Sequence, residues 1–563
     1  MVSLNKNYEL KAKLVIAPCL PAGRASLAIM NQKLRIKNKF LQEILKKKIK
    51  NKTELQKLKR QFSRMHKMQF FTNSELIQSY HKLVKSERLK KSERIERVLR
   101  RKPIRSLSGI VNISVLTKPY KCPGKCIYCP SQKNAPKSYL KEEPAVQRAI
   151  LCKYDPYKQV RLRIQALENN GHPTDKIELR IIGGTWSYYP LKYRKWFIKE
   201  CFRACNKYGF ANIKDSAQSL NNEIIQQQKK NKTAKHRIIA IGIETRPDYI
   251  NIQEIKCLRK LGITKVELGV QSIFNNVLKI NKRGHDIADT IKATRLLKNA
   301  GFKVSYQIMP NLLGSNYKRD ILMFKKLFSN PNFKPDFAKI YPLALVREAP
   351  LYKIYKKKKF KPYNKNQLKN LLLEIKSLIP YYCRIERVIR DIPDQYIISG
   401  GARITNMRQV LHKDPGFKCK CIRCREVREL YDSKEKIFFF RQDYEASEGK
   451  EIFLSYENKK RTKLFSVLRL RINKLNINNL LVLKNSAIIR ELHTYGQMLS
   501  IGSKSRSSQH KGLGKKLMMQ AEKIVKQETS FKKIAVISGV GVRDYYRKLG
   551  YRLLETYMIK RIA

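Results

Sequence analysis

From Gly109 to about Leu345, short runs of apolar and β-branched residues alternate with longer stretches of helical periodicity. The runs are Ile110–Leu116, Ile177–Ile182, Ile238–Ile243, Lys265–Val270, Lys303–Met309 and Phe337–Tyr341, and Ala288–Asn299 is typical of the amphipathic stretches between them. Such alternation predicts a parallel α/β sheet, because each strand must cross back over the sheet through a helix. Six units predict an open, partial (βα)6 barrel with its reactive groups at the carboxyl ends of the strands.

The flanks have different patterns. Residues 1–105 hold Leu, Ile and Phe at helical spacing among many Lys and Arg, as in Phe40–Lys48 and Glu54–Met65. This predicts a basic helical extension suited to a phosphate backbone, or else a solvated helix pair. Residues of about 346–380 are rich in Lys and Tyr and read as peripheral. A second α/β pattern starts near 431, with strands predicted at Lys463–Arg471, Ala487–His493 and Ile534–Ser538 and a helix around Ala521. The predicted domains are 1–105, 106–380, a linker at 381–430, and 431–563.

Charge narrows the partners. Lys and Arg number 121 against 44 acids, a formal +77. Such a chain needs a polyanion, and nucleic acid is the expected partner. The twelve cysteines fall in metal-ligand spacings or alone in apolar segments, which fits a reducing compartment rather than a disulfide framework. No apolar run reaches transmembrane length and no signal-peptide core opens the chain, so a soluble, cytoplasmic protein without membrane contact is expected, a nuclear or organellar pool remaining open.

Directly after the first predicted strand comes Lys121-Cys-Pro-Gly-Lys-Cys-Ile-Tyr-Cys-Pro130. Cys122, Cys126 and Cys129 on one short loop can hold three irons of a [4Fe–4S] cluster, leaving the fourth for S-adenosylmethionine. The alternative is a zinc knuckle, although zinc usually takes four ligands in two paired groups. Gly183 and Gly184 end the second strand, where glycine lets backbone N–H groups approach a bound methionine moiety. Glu244 and Gln271 end the third and fourth strands and can bond ribose hydroxyls, or else serve local structure. Lys339 on the sixth strand is a candidate catalytic cation for an anionic substrate group, or else a solvated lysine.

Two further constellations lie downstream. Cys419-Lys-Cys421-Ile-Arg-Cys424 has the spacing of a structural zinc site, with His412 and Cys383 both open as fourth ligand. Gln509-His-Lys511-Gly512-Leu513-Gly514 opens a predicted helix, where backbone N–H groups can cradle the pyrophosphate of coenzyme A. Tyr545 and Tyr546, after the Gly539 break, can contact the thioester or be core aromatics. Glu491 and His493 are candidate acid/base groups, or else strand residues facing solvent.

Together these motifs resemble the Elp3 family, the catalytic subunit of Elongator and its stand-alone archaeal and bacterial relatives. The likeness runs from about Phe70 to the end, through Thr72–Glu75, Pro103–Gly109, Cys122–Pro130, Tyr154–Tyr157, Ile243–Asp248, Leu268–Ser272, Asn281–His285, Arg390–Pro393, Arg490–Gly496 and Ser538–Tyr551. The resemblance implies a radical S-adenosylmethionine barrel joined to a GNAT acetyltransferase domain. It implies that a 5′-deoxyadenosyl radical activates the methyl of acetyl-CoA, which adds to C5 of the wobble uridine 34 of tRNA and leaves 5-carboxymethyluridine. An anticodon loop suits this, because unstacked loop bases can be splayed into a pocket. Partners implied are tRNA and other Elongator subunits, with stand-alone action and a homodimer left open. The short first cysteine gap is archaeal-like, and Ser131-Gln132 stand where relatives often carry Gly-Gly. The competing readings are a protein-lysine acetyltransferase with a structural cluster and a non-catalytic RNA-binding scaffold.

Overall fold

The computed structural model describes residues 24–206, 219–404, 406–428, 432, 434–473, 480–496, 498 and 512–562. The chain divides into two compact units, residues 1–103 with 166–172, and 104–165 with 173–563.

The first unit is helical over Arg24–Lys46, Lys52–Met65, Asn73–Lys85 and Glu93–Leu99. Asn51 caps the second helix, and Thr72 with Glu75 forms a reciprocal capping box on the third, satisfying N–H groups that lack intrahelical partners. Phe40, Leu41, Ile44, Leu58, Phe62, Ile77, Tyr80 and Leu99 share one core. The helical prediction holds, and these helices pack as a core rather than as a solvated pair. Arg60, Arg64 and Lys67 ring a surface recess beside exposed Phe70.

Among the described residues the second unit contains two seven-stranded sheets and a two-stranded antiparallel pair, Leu345–Val346 with Ile397–Ser399. In chain order its strands are β1 (Val111–Leu116), β2 (Lys176–Ile182), β3 (Arg237–Thr245), β4 (Lys265–Gln271), β5 (Lys303–Ile308), β6 (Phe337–Ile340), β7 (Leu345–Val346), β8 (Arg384–Val388), β9 (Ile397–Ser399), β10 (Phe438–Ala446), β11 (Gly449–Glu457), β12 (Leu464–Asn473), β13 (Ala487–Thr494), β14 (Lys533–Val536), β15 (Arg552–Leu554) and β16 (Tyr557–Arg561). The first sheet is parallel throughout, in the order β1-β2-β3-β4-β5-β6-β8. Every residue of the central β4 is buried, as a strand covered on both faces requires.

All six predicted barrel strands form, and β8 is a seventh. It lies inside the stretch predicted as a linker, because the alternating polar residues of Arg-Ile-Glu-Arg-Val read as surface while Glu386 in fact turns into a buried ion cluster with Lys265. The segment 346–380 is not peripheral either: its helix Lys365–Ser377 buries Leu368, Leu371, Leu372 and Ile375.

The second sheet is mixed, ordered β10-β11-β12-β13-β14-β16-β15. The helix Leu513–Glu528 lays Leu517, Met518, Ala521 and Val525 on it. The two sheets are locked by charge and close approach. Asp336, just before β6, takes both terminal nitrogens of Arg490 on β13 at 2.7 Å, and all of these groups are fully buried. At Gly539 any Cβ would collide with the carbonyl of Ile239 on β3, so only glycine permits that approach. Among the described residues no helix is long and apolar enough to cross a membrane.

Candidate active site

The three-cysteine loop leaves the carboxyl end of β1 and is pinned from below. Ile127 and Tyr128 insert into an apolar cluster with Val277, Leu312, Leu343 and Leu351. The Ile127 N–H donates to the Asn281 carbonyl at 3.2 Å, and the Ile127 carbonyl accepts from Leu351 at 2.8 Å. Buried apolar neighbours thus hold the loop's backbone while its sulfurs point into a cavity of about 430 Å³. Cys122, Cys126, Cys129, Gly184, Glu244 and Gln271 all line that cavity.

The electrostatics favour thiolate at Cys126, while its neighbour Cys129 is pushed up by the hydrogen bond to Cys126 and by burial. Cys126 is pushed down to about 4, first by a hydrogen bond from the Cys129 thiol and then by the Arg283 guanidinium, against the effect of burial. Arg283 donates to Cys126 Sγ at 3.5 Å and is fixed by a second bond to the Gly269 carbonyl at 2.6 Å. Arg246 lies over Gly124, where an added Cβ would stand 2.6 Å from its Nη1. That Nη1 and Nε of Arg283 are buried without a hydrogen-bond partner, a costly state unless an anion arrives. A sulfur-rich, negatively charged cluster is such an anion, so the residues present fit a [4Fe–4S] group.

Sulfur spacing separates this site from the second cysteine group. Cys419, Cys421 and Cys424 bring their sulfurs all within 4.8 Å of one another, and the loop cysteines form no such group among the described residues. Sulfurs sharing one zinc stand about 3.8 Å apart, given Zn–S bonds of about 2.3 Å. Nε2 of His412 lies 3.8 Å from Cys424 Sγ. The buried Lys376 ammonium lies 3.5 Å from Cys421 Sγ and 3.7 Å from Cys424 Sγ. Cys383 offers its backbone, taking the Ile422 N–H on its carbonyl.

Around the cavity, Glu244 accepts from Tyr139 at 2.9 Å, Gln307 at 3.0 Å and Lys339 at 2.9 Å. Gly183 adopts φ +124°, and a Cβ there would strike the Thr117 hydroxyl. Gln271 has φ +69°, and its Oε1 is buried without a partner.

The second sheet opens a wedge. β13 pairs with β14 only from Ala487↔Ile534 to Ile489↔Val536, so Arg490–Thr494 have no β14 partner among the described residues. Opposite that free edge the helix Leu513–Glu528 begins at Gly512, which sits in the left-handed region. A Cβ on Gly514 would lie 3.1 Å from the Tyr545 hydroxyl and 3.7 Å from that of Thr494. A helix N-terminus in an open wedge offers free N–H groups to an anion.

With this geometry described, known proteins can be compared. Residues 116–324 match the Radical SAM superfamily, and residues 335–414 match the Radical_SAM C-terminal domain. The tRNA uridine(34) acetyltransferase of Methanocaldococcus jannaschii is 41% identical over 94% of this chain and 99% of its own length. The chain belongs to the Elp3 family. Elongator complex protein 3 of Homo sapiens is 37% identical over 82% of this Elp3-family chain and 86% of its own length. The solved archaeal Elp3 of Methanocaldococcus infernus, with an N-terminal deletion (1–46), superposes with a TM-score of 0.67 at 40% identity, covering 81% of this chain and all of that one.

Several expected residues sit differently in the Elp3 fold from the sequence reading. Lys339 is neither solvated nor a free cation: it is buried between Glu244 and Glu267, whose carboxylates raise its pKa despite burial. It therefore positions Glu244. Glu491 does not face solvent, since Arg469 holds it at 2.7 Å and keeps its carboxyl ionised against the cost of burial. His493 Nε2 donates to the Ser108 carbonyl at 2.7 Å, and burial lowers its pKa. Both belong to the junction between the sheets. Tyr546 is buried in the core of the second sheet, whereas Tyr545 reaches the wedge. Gln509 and Lys511 lie outside the described residues.

Sequence reasoning missed Arg246, Arg283 and Tyr139 as site residues. The first two stand in motifs read only as landmarks, and nothing local distinguishes a cluster-facing arginine in a chain this basic.

Proposed function

We propose that this chain is a tRNA-modifying enzyme that acts on the wobble uridine with acetyl-CoA, through radical S-adenosylmethionine chemistry. The single observation that carries this reading is the three-cysteine loop at the end of β1, facing a cavity at the carboxyl end of a parallel sheet. When bound, the [4Fe–4S] cluster and S-adenosylmethionine supply a carbon-centred radical.

The chain's own residues do the rest. Cys122, Cys126 and Cys129 hold the cluster, with Arg283 and Arg246 balancing its charge. The Gly183-Gly184 turn and Gln271 bind S-adenosylmethionine, and Glu244, held by Lys339, Tyr139 and Gln307, fixes its orientation. The wedge between β13 and the helix at Gly512 takes acetyl-CoA, with Leu513 and Gly514 N–H groups toward its phosphates and Tyr545 at the thioester side. Cys419, Cys421, Cys424 and His412 hold a structural zinc that braces the junction of the sheets. The basic helical unit binds the tRNA body electrostatically. We place the domain borders at about 103, 414 and 431, with β8 assigned to the barrel.

The test is anaerobic reconstitution with iron and sulfide, followed by incubation with tRNA, acetyl-CoA and S-adenosylmethionine. Mass analysis of digested tRNA should find a carboxymethylated uridine together with 5′-deoxyadenosine. Acetylated protein with unmodified tRNA would instead identify a lysine acetyltransferase.

A further inference from the structure

Three arginines on the cavity wall have no part in the chemistry above. Arg105 precedes β1, Arg148 lies on the helix Pro144–Leu151, and Arg163 lies on the helix Pro156–Glu168. All three line the cavity that holds the cysteine loop. Arg148 and Arg163 are half-buried, and Arg105 is exposed at the rim. Arg148 donates to the Pro144 carbonyl at 2.7 Å, which uses one of its five N–H donors. Among the described residues no carboxylate forms an ion pair with any of the three, although this unit pairs most of its other buried arginines. Burial, and then the neighbouring Arg148 and Arg105, push Arg163 down to about 10; Arg148 is lowered likewise, first by burial and then by Arg105. Like charges gathered and partly desolvated without a counter-ion cost free energy unless an anion joins them.

The cluster's location indicates which anion. The segment carrying Arg105 also joins the two sheets: the Ser106 carbonyl accepts from the Met498 N–H at 3.1 Å, and Ser108 bridges to Gly496. The arginines thus stand on the cavity's wall, with Arg105 beside the junction with the second sheet. A base entering a cavity of this size leaves its sugar–phosphate backbone at the rim. Planar guanidinium forks match phosphate oxygens bidentately.

We propose that Arg105, Arg148 and Arg163 form a phosphate clamp for the RNA backbone beside the nucleotide that enters the cavity. The clamp rests on the functional reading given above. It positions the substrate and touches no reacting atom.

The test uses the full-length, reconstituted protein and an anticodon stem-loop RNA, with the affinity measured across a salt series. The R148Q/R163Q variant should bind about tenfold or more weaker at 0.1 M salt, since it loses two charged contacts to phosphate. Its slope of log affinity against log salt should flatten by about 0.7 per lost contact. R148K/R163K should recover the slope in part. A methylphosphonate at the linkage next to the uridine should weaken wild-type binding and leave R148Q/R163Q binding unchanged. Thermal melting should not fall, because removing the charges relieves repulsion. Affinity for coenzyme A should also stay unchanged; if it falls while RNA binding holds, the phosphate belongs to the coenzyme and the clamp is overturned. Wild-type affinity and slope in the variant would overturn it too. A wild-type protein that binds no RNA would instead reject the functional reading itself.

Discussion

Arg283 places a guanidinium nitrogen 3.5 Å from the sulfur of Cys126, and its other arm is tied to the Gly269 carbonyl. The cation is therefore held in place before any cluster binds. It supports Cys126 as a thiolate, the form that ligates metal. Replacing it by Gln removes a charge and a donor from the sulfur, so the Cys126 thiol should rise above its present value of about 4. In metal-free protein, alkylation of Cys126 by iodoacetamide, followed by peptide mass analysis over a pH series, should shift to higher pH in R283Q. No shift would mean that Cys129 alone sets the thiolate.

Asp336 and Arg490 predict an acid-sensitive junction. Burial opposes the charge on Asp336, but Arg490, Lys298 and Arg469 outweigh it and hold its carboxyl well below the usual range. A depressed carboxyl contributes stability that is full above its unfolded pKa of about 3.9 and is lost as pH falls through the folded value. Asp336→Asn leaves buried cations unpaired and should cost about 3–5 kcal/mol near neutral pH. Chemical denaturation from pH 7 to pH 3 should show the gap between wild type and variant narrowing on the acid side.

Adjacent tyrosines should respond oppositely. Tyr546→Ala empties part of the second core and should destabilise by about 3–5 kcal/mol, the scale for removing a large buried aromatic. Tyr545→Phe should leave the melting temperature within a degree or two while weakening acetyl-CoA turnover. Calorimetry and a coenzyme A binding assay read the two effects separately.

At the second cysteine group, His412 is the candidate whose side chain contacts one of the three sulfurs. Nε2 of His412 approaches Cys424 Sγ to 3.8 Å, so His412→Ala should lower the bound zinc measured by mass spectrometry after challenge with a chelator. Cys383→Ser should retain zinc at the wild-type ratio, although burying a hydroxyl there should cost stability.

Much of this protein was legible in its sequence, because the signals are local. Thiol spacing, strand-end glycines and the alternation of β-branched runs with amphipathic helices are short-range patterns, and the alternation became the strands and helices it predicted. β8 was not legible: Arg384–Val388 hides its burial behind charged residues, whose partners Lys265 and Glu426 come from distant segments.

The sequence by itself determined the cluster loop, the parallel barrel and the basic helical extension, since neighbours along the chain are enough to specify them. Tertiary structure decided which polar groups are free to act. Lys339, Glu491 and His493 look alike in sequence to any exposed acid, base or cation. Only the tertiary fold supplied Glu267 from another strand of the same sheet, Arg469 from the paired strand and the Ser108 carbonyl from a distant segment to engage them. The same long-range assembly left Arg105, Arg148 and Arg163 without carboxylates, because the availability of a charge is set by whatever the fold brings next to it.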